Sequence, residues 1–85
     1  MIVHIPSPLH SYSKTNLVNA QGTTLAELFA DLERQFPGFR FRIVNEQDEV
    51  REHFKIFVNQ RLAQNMREPL SRNDTVRIIA AISGG

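Results

Sequence analysis

The sequence predicts one α+β domain: a mixed sheet of four to five strands with one main helix laid across one face. Three observations carry that expectation. A single amphipathic stripe runs from Leu25 to Phe36, apolar runs of strand character open and close the chain, and 85 residues leave room for one core only. A helix with one apolar stripe needs a sheet to bury against. The body is expected to span residues 1–82, with Ser83, Gly84 and Gly85 as a flexible tail.

Met1 to Ile5 reads as the first strand, closed by Pro6 and Pro8, whose nitrogens have no hydrogen to give to a ladder. Ser7 to Ser13, rich in serine and proline, reads as a loop. Lys14 to Asn19 returns as a second, antiparallel strand on the strength of Leu17 and Val18. In the helix, Leu25, Leu28, Phe29, Leu32 and Phe36 recur at spacings of three and four. Thr24 followed by Glu27 matches a capping box, which sets polar side chains against the free amides of the first turn. Pro37-Gly38 ends the helix, because proline cannot continue it and glycine accepts a left-handed conformation.

Phe39 to Val44 fits two descriptions. Phe39, Phe41 and Ile43 alternate with Arg40 and Arg42 as in a strand, yet the run also suits a helical turn. Asn45 to Glu52 is a charged loop. Phe54 to Asn59 is a strand, and Asn59-Gln60-Arg61 turns into a minor strand around Leu62. Ser71 to Asp74 is turn chemistry before the last strand, Thr75 to Ile82, the most β-branched stretch of the chain. The first and last strands are expected as central, parallel neighbours, since both are apolar and the connection between them is long.

Composition narrows the function. Ten Lys and Arg against nine Asp and Glu give a net charge of +1, too balanced for a dedicated nucleic-acid binder. The chain has no cysteine, so disulfides, a thiolate nucleophile and thiolate metal ligands are excluded, and a reducing, cytoplasmic setting is expected. No signal-peptide pattern and no apolar run of membrane-spanning length appear. His4, His10 and His53 lack ligand spacing, so no metal is expected. Ser7, Ser11 and Ser13 beside His10 have neither a strained elbow nor a placed acid. Glu46, Asp48, Glu49 and Glu52 read as a solvated loop rather than as acid–base pairs. Phe39-Arg40-Phe41-Arg42 reads as half core and half surface, not as a base-stacking platform. Without a glycine-rich phosphate loop, the chain binds no nucleotide, and any ATP and Mg belong to a partner enzyme.

The end of the chain carries the chemistry. Two terminal glycines arise by chance roughly 0.5% of the time at an average glycine frequency of about 7%. They follow directly on a strong strand, and Ser83-Gly84-Gly85 can reach roughly 10 Å beyond it. Lacking Cβ atoms, the glycines can thread a narrow slot. An α-carboxylate with a pKa of about 3.3–3.7 is an anion at neutral pH and a poor electrophile. Adenylyl transfer from ATP converts it to a mixed anhydride. A persulfide can then attack and leave a thiocarboxylate, a soft anionic nucleophile able to deliver sulfide.

Thr24-Leu25-Ala26-Glu27-Leu28, Phe36-Pro37-Gly38, Ile56-Phe57-Val58-Asn59, Asn73-Asp74-Thr75-Val76 and Ile82-Ser83-Gly84-Gly85 together resemble the ThiS/MoaD family. The order of elements resembles the β-grasp fold shared by ubiquitin and the bacterial sulfur carriers. The insert between Pro37 and Val58 is most similar to carriers serving cysteine or thio-metabolite synthesis. The resemblance implies a non-enzymatic sulfur carrier. Gly85 is then the residue adenylated and thiocarboxylated, and Gly84, with Ser83, gives clearance in the partner's active site. It implies three partners: an E1-like adenylating enzyme, a sulfur donor or sulfurtransferase, and a sulfur-acceptor synthase. The family tail often reads Val-Ala-Gly-Gly after a proline; here Ile82 and Ser83 replace Val and Ala, and Ala80 or Ala81 stands in the proline's place. Two other readings remain: a modifier joined through Gly85 to lysines of other proteins, and an interaction module without tail chemistry.

A docking surface follows from strand parity. If Ile56, Val58, Val76 and Ile78 point inward, Lys55, Phe57, Arg77 and Ile79 point outward. Phe57 and Ile79 then make a small apolar patch flanked by Lys55 and Arg77, suited to a partner. The plainer reading of these four is ordinary strand residues covered by their neighbours.

Overall fold

The computed structural model describes residues 1–80. The sheet has the strand order β2-β1-β5-β3-β4, built from β1 (Ile2–His4), β2 (Leu17–Asn19), β3 (Phe54–Val58), β4 (Arg61–Leu62) and β5 (Thr75–Ala80). The expected central pair is present: β1 and β5 run parallel, with Val3 opposite Val76. β2 joins β1, and β3 joins β5, both antiparallel, and β4 hangs on β3 as a two-residue edge. The expected extension of β5 to Ile82, the domain limit at residue 82 and the tail lie outside the described residues.

The helix α2 (Leu25–Gln35) crosses one face and buries Leu25, Leu28, Phe29 and Leu32 completely. Beneath them lie Val3, Val18, Ile56, Val58, Val76 and Ile78, the inward residues of four strands. This is the β-grasp arrangement that the order of elements suggested.

The start of α2 is held more firmly than the capping box alone implies. Thr24 Oγ1 accepts from the Glu27 amide at 3.2 Å, but the Glu27 carboxylate takes the amide and hydroxyl of Thr23 rather than the amide of Thr24. The remaining free amides of the first turn, those of Leu25 and Ala26, donate to the carbonyls of Glu68 and Met66. The segment after β4 thus caps the helix with its backbone, and Met66 and Leu70 plug the core beneath it. Gly22 lets the chain pass close: a Cβ there would stand 2.5 Å from the Leu28 nitrogen.

Two expectations change. Ser7 to Ser13 is helical rather than an open loop: a 3₁₀ turn (Ser7–Leu9) runs into α1 (His10–Ser13). Pro8 presets the first turn, Leu9 is buried, and the His10 Nε2 lies 2.9 Å from the Ile5 carbonyl. Lys14 then closes α1 with φ of 62°, a left-handed cap that cannot start a strand, so β2 begins only at Leu17. The ambiguous Phe39–Val44 run resolves as helix α3 (Phe39–Ile43). Phe39 and Ile43, four apart, share the buried side, and Phe41 is left exposed. The Glu33 carboxylate fixes the entry, accepting from the amides of Gly38 at 2.7 Å and Arg40 at 2.9 Å. Phe39 meets the Tyr12 ring edge-on at 6.1 Å, so α1 and α3 brace each other across the end of the core.

Candidate functional site

Among the described residues, the face of the sheet away from α2 carries no helix. The register aligns one row across all five strands: Leu17, His4, Arg77, Phe57 and Leu62. One step nearer the end of β5, Ile79 stands opposite Lys55; one step farther, Ile2 stands opposite Thr75. The parity that placed Lys55, Phe57, Arg77 and Ile79 outward therefore matches the observed strands. Phe57 is half-buried, whereas Ile79 is 39% exposed.

The face is wider than those four residues. Ile2, Leu17 and Leu62 belong to it, and with Ile79 they are four of the five large exposed apolar side chains among the described residues. None of the nine Asp and Glu residues occupies an outward strand position, while His4, Lys55 and Arg77 all do. Leu17 and Leu62 were hidden in the sequence because their strands are two or three residues long. Only pairing with a neighbour reveals their side.

Carboxylates with shifted titration sit elsewhere and do structural work. Donation from the Gly38 amide, then from that of Arg40, holds the Glu33 carboxyl below its ordinary value. The Gln21 amide does the same for Asp31, the Ser71 amide for Asp74 and the Thr23 amide for Glu27. Each stabilises a charged acceptor in a turn or helix start. The open face is thus apolar at several points and cationic between them, with no carboxylate among its strand residues. Among the described residues no His, Asp and Glu gather as a metal site requires, and no helix is long and apolar enough to cross a membrane.

β5 is the last element among the described residues. It pairs with β1 through Arg77 and with β3 through Ala80, opposite Phe54. Ser83, Gly84 and Gly85 lie outside the described residues.

The sequence profile of the ThiS family matches residues 3–85. The chain belongs to the ThiS family. Family membership gives it a sulfur-carrier or ubiquitin-like role, and a non-catalytic one. The fold agrees with solved structures. A chain in the Amycolatopsis orientalis BexX/CysO complex superposes with a TM-score of 0.90 at 26% identity, covering 99% of this ThiS-family chain and 98% of that one. CysO of Mycobacterium tuberculosis gives a TM-score of 0.89 at 24% identity, over 95% and 98% of the two chains. SAMP1 from Haloferax volcanii gives 0.78 at 19% identity, over 100% and 98%. No curated protein matches the sequence significantly.

Proposed function

We propose that this ThiS-family chain carries sulfur as a thiocarboxylate on Gly85. The observation that carries the reading is the position of β5: a central strand, paired on both sides, runs toward the Ser83-Gly84-Gly85 end. A strand held on both sides gives a partner a firm body to grip.

In this reading an adenylating enzyme supplies ATP and Mg. A carboxylate oxygen of Gly85 attacks the α-phosphorus, and pyrophosphate leaves. The terminal sulfur of a donor persulfide then displaces AMP, and a thiol of the sulfur donor cleaves the S–S bond to free the thiocarboxylate. An acceptor synthase takes that sulfur into a thiolated product, such as cysteine, a cofactor or a thio-metabolite. Ser83 and Gly84 lie in the enzyme's slot during activation, while Phe57, Ile79, Lys55 and Arg77 contact its surface. The similar Amycolatopsis structure is itself a complex, of BexX with CysO, which favours a body that docks on another protein.

Intact mass spectrometry of the chain isolated from its host tests this. Exchange of one oxygen for sulfur, lost in a chain lacking Gly85, is expected. A ladder of heavier conjugates without sulfur gain would replace the carrier by a modifier, and an unchanged mass would leave only an interaction module.

A further inference from the structure

The two strands that flank β5 do not finish together. β1 pairs with β5 only as far as His4 opposite Arg77, but β5 continues to Ala80. Past His4, β1 and its ladder to β5 end. The Ile5 amide donates to the Asn16 carbonyl at 2.9 Å, toward β2, and Pro6 has no amide hydrogen. Ile79 and Ala80 pair with Lys55 and Phe54 on their other edge. Successive residues of a strand present their backbone groups to opposite edges, so one of these two points its N–H and C=O toward the side β1 has vacated.

That side is a groove of about 460 Å³. His4, Pro6, Ser7, Asn16, Arg77 and Ile79 line it, and among the described residues no carboxylate does. Arg77 is exposed and takes part in none of the ion pairs among the described residues. The groove therefore combines a short free strand edge, a cation beside a histidine, and an apolar wall of Ile79 and Pro6.

We infer that this groove receives an extended, acidic segment of the activating partner, which adds to the free edge of β5 and sets a carboxylate against Arg77 and His4. The inference rests on the reading that a partner enzyme handles the chain's end. An added strand takes its affinity from main-chain hydrogen bonds and its selectivity from side chains placed on alternate sides. A carboxylate on the guanidinium contributes a charge-assisted bond with defined direction. Because Ile79 and Ala80 stand just before Ser83-Gly84-Gly85 in the sequence, a partner strand seated here would hold the chain within a few residues of Gly85. The groove would thus act as a positioning site for activation, separate from the Phe57–Leu62 side of the face.

The test uses the full chain, labelled with nitrogen-15, and two capped pentapeptides. One alternates valine with aspartate, and its counterpart carries asparagine in place of each aspartate. The aspartate peptide is expected to shift the amides of His4, Ser7, Asn16 and Arg77 to Ala80 saturably, with the asparagine peptide at least about tenfold weaker. Arg77→Gln should weaken the aspartate peptide by a similar factor, and the same spectra report whether that variant is folded. Ser7→Glu, an exposed change that places a negative charge in the groove, should weaken it independently. Equal affinity for the two peptides, shifts centred on Leu62 or Phe41, or no shift at all would overturn the inference. So would binding seen only after removal of residues 83–85, which would assign the groove to the chain's own end. None of these readings depends on sulfur loading, so failure here is distinct from failure of the carrier chemistry.

Discussion

Phe57 and Arg77 face each other as register partners on the uncovered side of the sheet, an aromatic ring beside an exposed cation. Neither contributes to the core that α2 closes, whose inward residues on the same strands are Ile56, Val58, Val76 and Ile78. The pair can therefore be altered with limited damage to the fold.

Under the proposed function, in which an adenylating partner docks on this face, Phe57→Asp and Arg77→Glu should each lower kcat/KM for adenylation about tenfold or more. Truncation or reversal at a buried contact point typically has effects of that order. Melting temperatures should move by only a few degrees. Unchanged adenylation kinetics in both variants would remove this face from the docking event.

Gly22→Ala should destabilise the domain by about 1–3 kcal/mol, the usual range for forcing atoms into a packed site. The added carbon meets the Leu28 backbone nitrogen and the Glu27 main chain, which cannot rotate aside as a side chain would. Urea unfolding of the variant beside the parent measures the loss. A change below a few tenths of a kcal/mol would mean the 20–24 segment can shift freely.

The pH dependence follows from the turn carboxylates. Glu33 titrates below its ordinary value of 4.5 in the folded chain, because the amides of Gly38 and Arg40 favour the charged form. A folded-state value below the unfolded one adds stability above the unfolded pKa, and that increment disappears as pH falls through the folded value. Asp31, Asp74 and Glu27 act in the same direction. Melting temperature should thus hold between about pH 7 and 5 and fall below about 4.5. Glu33→Gln should melt a few degrees lower at pH 7. It should also show a shallower decline in acid, and an identical pH profile would contradict the assigned role.

Phe39→Ala should be the most damaging of these changes, at about 3–5 kcal/mol. Phe39 is fully buried and touches Tyr12 and Phe36 across ring contacts of 6.1 and 6.0 Å. A domain of this size has about 4–13 kcal/mol in all, from the usual per-residue range. Calorimetry or far-ultraviolet circular dichroism at 37 °C should show a substantial unfolded fraction if the total lies near the low end, and otherwise a large fall in melting temperature.

Periodicity made α2, β3 and β5 legible, since each is long enough for its apolar spacing to repeat. The parallel pairing of β1 with β5 was legible from their apolar character and the length of chain between them. Phe39–Ile43 was not, because five residues with apolar side chains at every second position satisfy both periods. The carboxylate of Glu33 and the burial of Phe39 with Ile43 decide for helix, and both depend on tertiary contacts. Segment 66–70 was opaque for a related reason. Its work is done by carbonyls of Met66 and Glu68, and backbone acceptors leave no mark on side-chain pattern. On the open face, Lys55, Phe57, Arg77 and Ile79 followed from strand parity, but the lack of acidic neighbours emerged only when all five strands were set side by side.

The location of β5 also has a mechanical meaning. Tension applied beyond Ala80 along the strand loads the ladders to β1 and β3 in shear, so bonds on both flanks must yield together instead of unzipping one after another. A processing machine that grips this terminus would feel a stiff handle, and the body should resist extraction from that direction better than from β2 or β4 at the rims.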